Sequence, residues 1–257
     1  MATDSQITIS YLPPTDLTAY QREIPAAKQP LIPAIFHDSM VVRTDVFITE
    51  QNVPPESEFD ADDSRSCHLV AYDTVKDADG ITARNIPVGT VRIVPFPHAP
   101  HPTPGESYWS GVPQTDDPTK TRSAATPSTH HNIKMDKNGM ALIDRATIMH
   151  DGREPYFKLG RLAVQKEYRG KGIAGVLVRS ALKWISENAT SFGPVLVPTS
   201  EGSGESLKFK GLVCAHAQVQ ASRSWARWGF IVDEEMGTWN EEGISHVGMF
   251  QRVPMSE

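Results

Sequence analysis

The stretch Leu159–Asn188, LGRLAVQKEYRGKGIAGVLVRSALKWISEN, decides how the rest of the chain is read. Leu162, Ala163 and Val164 close a short apolar run of the kind that makes a buried strand. Apolar residues then recur at Ile173, Val176, Leu177, Ala181, Trp184 and Ile185, with Arg179, Lys183 and Glu187 on the opposite face. That is a helical period. Strand, glycine-rich turn and helix therefore follow one another. A helix start has unpaired N–H groups and a partial positive charge, which together suit phosphate. Gly170 and Gly172 have no Cβ to keep an anion off the backbone, and Arg169 and Lys171 add charge beside it. The stretch predicts a site for a phosphate-bearing ligand. It fits neither a P-loop, whose Gly-Lys-Ser/Thr is missing, nor the three-glycine spacing of a dinucleotide fold.

A chain of 257 residues can bury a substantial core, and a hydrophobic share of 39% beside a charged share of 22% is ordinary for a globular protein. The formal net charge of -6 argues against a general nucleic-acid surface. Cys67 and Cys214 sit in apolar runs and read as small buried hydrophobes, in keeping with a reducing compartment. No run reaches membrane-spanning length and the first residues lack a signal-peptide layout. A cytoplasmic protein, monomer or homodimer, with no membrane or nucleic-acid partner is expected.

Ile7–Leu12 alternates as a first strand, and Ala34–Glu50 turns helical with Phe36, Met40, Arg43 and Phe47 on roughly one face. The acidic run Glu56, Glu58, Asp60, Asp62, Asp63 reads either as a solvated loop or as a field attracting a cationic amine. Cys67–Asp73 and Val88–Val94 read as a hairpin. Between about residues 96 and 150 the composition changes, with five prolines from Pro95 to Pro104. Connections this long are uncommon in compact domains. His98, His101, His130 and His131 raise zinc, but with no cysteine and no i, i+4 spacing among them no metal is expected. Ala141–Met149 is expected to pack back. Gly193–Pro198 and Gly211–Ala217 read as strands with a flexible SEGSGES loop between them. A helix then stops at Gly229, and Glu242–Met249 makes a turn and last strand.

Arg169-x-x-Gly172-x-Ala174 after Leu162-Ala163-Val164 resembles motif A of the Gcn5-related N-acetyltransferase (GNAT) superfamily. Three further stretches resemble its ElaA/YjcF-like branch. They are Arg43-x-x-Val46-Phe47-x-x-Glu50-Gln51-x-Val53-Pro54, then Glu58-x-Asp60-x-x-Asp63 with His68–Tyr72, and Glu242-Gly243-Ile244-Ser245-His246. The resemblance implies an α+β fold: a mixed, mostly antiparallel central sheet flanked by helices, one domain over 1–257, with residues 96–150 as an insertion. It implies an acetyl-CoA-dependent N-acetyltransferase acting by direct attack of a small polar or cationic amine, such as an amino sugar or polyamine, in a ternary complex. Leu162, Ala163, Val164 and Arg169, Gly170, Lys171, Gly172, Ile173, Ala174 would hold acetyl-CoA, with Gln218 and Trp225 near its thiol end. Gln51, His68 and Arg161 would face the acceptor.

Such a reaction needs the amine deprotonated, an oxyanion donor and a route for the thiolate. His246, titratable near neutrality, and Glu50, at the end of the first helix, are the expected proton-handling residues. Trp225 stands where many GNAT proteins have a tyrosine, and an indole supplies no useful proton. The alternative from another class is a catalytically idle acyl-CoA-binding module.

Overall fold

An apolar run buried on both faces makes an interior strand, and a polar break between two such runs makes a hairpin. The computed structural model, which describes residues 6–76, 83–109, 111–114, 135–199 and 203–255, extends both runs of the expected hairpin. Its strands and α-helices, in chain order, are β1 (Gln6–Leu12), α1 (Ala34–Arg43), α2 (Pro55–Glu58), β2 (Cys67–Lys76), β3 (Ala83–Val94), β4 (Ser107–Trp109), β5 (Val112–Pro113), β6 (Phe157–Val164), α3 (Ile173–Asn188), β7 (Val195–Pro198), β8 (Gly204–Leu207), β9 (Leu212–Gln218), α4 (Ser222–Arg227), β10 (Ile231–Val232), β11 (Thr238–Glu241) and β12 (Ile244–Arg252). The class is the expected mixed α+β one, with mainly antiparallel pairing and flanking helices. The chain forms two compact units: Met1–Val94 with Gly160–Leu182, and Pro95–Leu159 with Lys183–Glu257.

In the first unit β1, β2 and β3 pair antiparallel, with Ile9 opposite Ala71 and Leu69 opposite Val91, and β6 lies next to β3. Phe36 and Met40 of α1 join Leu12, Leu17 and Ile32 in one cluster, with Tyr20 and Phe59 against it. The helix then loosens into a π-wound turn over Thr44–Glu50, and Val42 at the end of α1 and Val46 in the turn cover Ala163. Gly89 serves packing. A Cβ there would stand 3.0 Å from Leu177 Cδ1 and 3.1 Å from the Ala163 carbonyl, tighter than ordinary contact, so a side chain would press α3 away from the strand by a few tenths of an ångström.

Apart from the exposed Glu56, the acidic run is neither a solvated loop nor an open field. Glu58 and Asp63 are buried around Arg43, itself fully buried. Arg43 Nε donates to Glu58 Oε1 at 2.5 Å and Nη1 to Asp63 Oδ1 at 2.7 Å, while Nη2 donates to the Glu58 carbonyl. Arg92 pairs with Asp60 at 2.7 Å and Asp63 at 2.9 Å. The reason is positional: Arg43 shares a helix face with Phe36 and Met40, so it points inward and must find partners there. Burial works to raise the Asp63 pKa, but Arg43 and Arg92 outweigh it and hold the carboxyl well below the usual range.

In the second unit Phe157–Leu159 of β6 runs parallel to Val213–Ala215 of β9. The sheet continues antiparallel through β12 and β11, with β4 parallel to β11 and β10 on β12. Tyr156, Leu212, Cys214, Met236, Trp239 and Phe250 form the core beneath it. The end of SEGSGES is not a loop: Gly204–Leu207 forms β8, antiparallel to β7, with Leu196 packed over Gly204, and residues 200–202 lie outside the described residues. Ala141–Met149 packs back, since Ala141 N–H donates to Leu196 O at 2.8 Å and Thr147 Oγ1 to Asp233 Oδ2 at 2.6 Å.

Arg43→Ala is expected to cost about 3–5 kcal/mol of unfolding free energy, because it strands Glu58 and Asp63 without their central partner. Urea unfolding measures this, and a loss below about 1 kcal/mol, the scale of an exposed pair, would mean the network is not what holds this region.

Candidate active site

Motif A lies wholly in the first unit. After β6 the chain makes a single 3-10 turn over Lys166–Tyr168 and then passes through Arg169–Gly172 into α3. Gly170 and Gly172 have φ of +77° and +81°, a left-handed conformation that favours glycine. A Cβ at either would meet nothing within 4 Å. Their function is thus opposite to that of Gly89: they shape the backbone and leave open space over it. Val176 N–H closes the first helical bond to Gly172 O at 3.1 Å. The amides of Ile173, Ala174 and Gly175 consequently have no acceptor within the helix, which leaves them for a ligand or water.

Arg169 and Glu50 hold each other. Arg169 Nη2 lies 3.0 and 2.8 Å from the two Glu50 carboxylate oxygens, and its Nε donates to Val164 O at 3.0 Å. The side chains are 44% and 32% exposed, so the pair is worth less than about 1 kcal/mol. It nevertheless fixes the orientation of both. Lys171 Nζ rests 4.5 Å from the Tyr168 ring centre.

Of the expected acceptor-side residues, Arg161 has φ of +51° in the middle of β6. A left-handed non-glycine residue within a strand interrupts the regular ladder and stores strain. Its guanidinium is fixed by the Ser57 carbonyl at 3.0 Å, Asp60 at 3.1 Å and Glu58 at 3.2 Å. Gln51 caps the π-wound turn, its N–H reaching Val46 O at 3.2 Å. His68 is buried, with Nε2 2.8 Å from Asp63 O and its ring edge-on to Phe36. Burial, opposed by Asp63 and reinforced by Arg43, pushes its pKa down to about 4.

Gln218, Trp225 and His246 belong to the second unit. Gln218 and His246 are cross-strand partners on β9 and β12. His246 Nδ1 is 2.8 Å from Ile244 O and so carries the proton there. Trp225 is buried against Trp228 and Phe230, with ring centres at 5.4 and 4.9 Å. The structure adds a group that the sequence reading missed. Glu241 Oε1 accepts from Trp239 Nε1 at 2.7 Å and from His216 Nδ1 at 3.0 Å, so His216 presents Nε2 as a lone pair. Burial raises and the two histidines lower the Glu241 pKa, and it ends well below the carboxylate range. Burial lowers that of His216, against the pull of Glu241. His216 sits in an apolar strand run and Glu241 before a turn, and only the sheet register brings them together.

With this geometry in place, comparison with known proteins locates the family signal. The model of the Acetyltransferase (GNAT) family matches residues 114–192, which contain β6, the glycine loop and α3. This supports a GNAT-type reading of that segment. Among solved structures, a Lactobacillus plantarum protein named for the N-acetyltransferases is 16% identical, with 96% of this chain and 99% of that chain covered and a TM-score of 0.48. Escherichia coli ElaA is 16% identical, with 96% and 100% covered and a TM-score of 0.47. An acyl-CoA N-acyltransferase from Pseudomonas aeruginosa is 14% identical, with 96% and 99% covered and a TM-score of 0.43. Likenesses at this level add no weight on fold or activity.

His68 gives a pH prediction. Between pH 6.5 and 4 the unfolded chain takes up a proton at this residue that the folded protein refuses, so stability falls as pH drops through that window. The loss is at most about 3 kcal/mol. His68→Asn should flatten the dependence of unfolding free energy on pH between those limits, and an unchanged slope would show that His68 titrates normally.

Proposed function

We propose that this protein is an acyl-CoA N-acyltransferase of the GNAT superfamily, of the ElaA/YjcF-like branch, with the whole chain acting as one domain. It would take acetyl-CoA and pass the acetyl group to the primary amine of a small polar substrate by direct attack in a ternary complex. The observation that carries this reading is the pair of left-handed glycines that open the start of α3, where the first amides have no acceptor within the helix and, among the described residues, no atom lies within 4 Å of where a Cβ would stand. Such a cradle suits the pyrophosphate of coenzyme A, which the family match over the same segment supports.

The amine must lose a proton on attack. The expected role of His246 is part of this proposal, and the His216–Glu241 dyad joins it, since a carboxylate-oriented imidazole with a free Nε2 is built as a base. Glu50 is the weaker candidate, because both its oxygens face Arg169. A preference for cationic amines loses the support of the acidic run, where Glu58, Asp60 and Asp63 are consumed by arginines.

The decisive experiment joins calorimetry with coenzyme A to thiol release over amino sugars, polyamines, aminoglycosides, arylamines and peptide N-termini. Gly172→Asp adds a like charge and forces a side chain into the left-handed region, while its Cβ clashes with nothing. It should weaken coenzyme A binding at least about tenfold, or 1.4 kcal/mol, with the melting curve nearly unchanged. Unaltered affinity would remove the site from this loop. Binding by the wild type without release on any amine would leave the idle acyl-CoA-binding module, a reading that the burial of Trp225 in an aromatic cluster favours.

A further inference from the structure

The insertion carries a cluster of side chains that the proposed reaction does not use. His101 comes from the proline-rich limb, and Asp144 and His150 from the limb that returns to β6. His101 Nε2 lies 3.0 Å from His150 Nδ1 and 3.5 Å from Asp144 Oδ2, and the three donor atoms fall within 4.8 Å of one another. Ligands held about 2.0–2.1 Å from a tetrahedral zinc ion stand roughly 3.3 Å apart, so both measured edges are already within about 0.3 Å of that spacing.

The surroundings orient the donors. His150 Nε2 is 2.9 Å from the Glu154 carbonyl, which can only accept, so the proton is on Nε2 and Nδ1 presents its lone pair to the cluster. A backbone carbonyl fixing the far nitrogen of a histidine is the usual support of a metal ligand. The Asp144 carboxylate is set by two amides, His101 N–H at 2.6 Å and Arg145 N–H at 2.7 Å. Both imidazoles are held in an aromatic cage: His101 stacks on Tyr156 and meets Phe250 edge-on, while His150 stacks on Phe250 and meets Tyr156 edge-on. The His101 side chain has no exposed surface and Asp144 keeps 8%. Facing the His150 Nδ1 lone pair, His101 Nε2 carries the proton while no ion is bound, and a cation would move that proton to Nδ1, to which nothing bonds among the described residues.

We propose that His101 Nε2, His150 Nδ1 and Asp144 Oδ2 bind one divalent cation of the zinc class, which clips the two limbs of the insertion together. Two imidazoles and a carboxylate are a zinc-type donor set with one tetrahedral position left for water or another group. Asp144 and His150 also line a cleft bounded by Pro97, Arg153, Glu154 and Val197. His101 and Asp144 are 43 positions apart, and closing a long loop is where a metal clip contributes most. The sequence argues against a metal because His98, His101, His130 and His131 have no cysteine and no i, i+4 spacing among them, and of these four only His101 belongs to the cluster. His98 instead places Nε2 2.8 Å from Tyr156 O, and His130 and His131 lie outside the described residues.

The test uses untagged full-length protein stripped with a chelator and titrated with Co²⁺, then Zn²⁺. One equivalent of Co²⁺ should bind with the visible absorption bands of tetrahedral cobalt, Zn²⁺ should displace it, and Zn²⁺ should raise the melting temperature. Asp144→Asn keeps an oxygen acceptor for only one of the two amides, which donate to different carboxylate oxygens, and should bind at least tenfold more weakly, while His150→Ala should abolish the cobalt bands. Stripped wild-type protein with an unchanged circular dichroism spectrum that takes up neither ion overturns the proposal, leaving a hydrogen-bonded His–His–Asp cluster. Wild-type affinity in either folded variant overturns it as well, by placing the ion elsewhere.

Discussion

The first unit depends on how it neutralises buried charge. Arg43 has entered the core on the apolar face of α1, and a guanidinium in that position is tolerable only with every donor occupied. Glu58, Asp63 and the Glu58 carbonyl satisfy it, Arg92 shares Asp63 and takes Asp60, and Arg161 closes the group from β6. Five elements or connections of the chain thus meet through one set of ion pairs. Replacing a single member uncovers the rest, so the cost of disturbing any one of them is set by the partners left behind.

Two classes of glycine divide the labour around that network. Gly89 removes bulk so that α3 can approach β3 and β6, and a methyl group there would press on Leu177 and the Ala163 carbonyl. Gly170 and Gly172 remove a conformational restriction, and nothing fills the space that their missing side chains would occupy. One class brings the helix down onto the sheet, and the other opens its first turn to solvent.

The sequence made the strand, turn and helix around Leu162–Asn188 legible because period, glycine spacing and charge all agreed there. The hairpin of β2 and β3 was legible for the same reason, although β3 begins five residues before the apolar run that announced it. The burial of the acidic run was not legible, since nothing local says that Arg43, Arg92 and Arg161, spread over more than a hundred residues, converge on Glu58 and Asp63. The same limit hid His216 beside Glu241 and His101 beside His150. Each of these pairs is made by sheet register or by a long return of the chain, and spacing along the sequence carries no trace of it. The composition of SEGSGES reads as flexible, yet β7 supplies Gly204–Leu207 with the partner strand that composition ignores.

The pairing of Arg169 with Glu50 changes the electrostatics of the glycine loop. A free arginine would lend the loop a full positive charge and draw in anions of any shape, with an attraction that fades as salt is added. Tethered to a carboxylate, Arg169 brings almost no net charge, and what remains at the start of α3 is the Lys171 ammonium over the Tyr168 ring and a fixed array of backbone N–H groups. Such an array discriminates by the directions in which oxygens can accept. For the anion proposed above, such an array would select by the shape of the ligand more than by its charge.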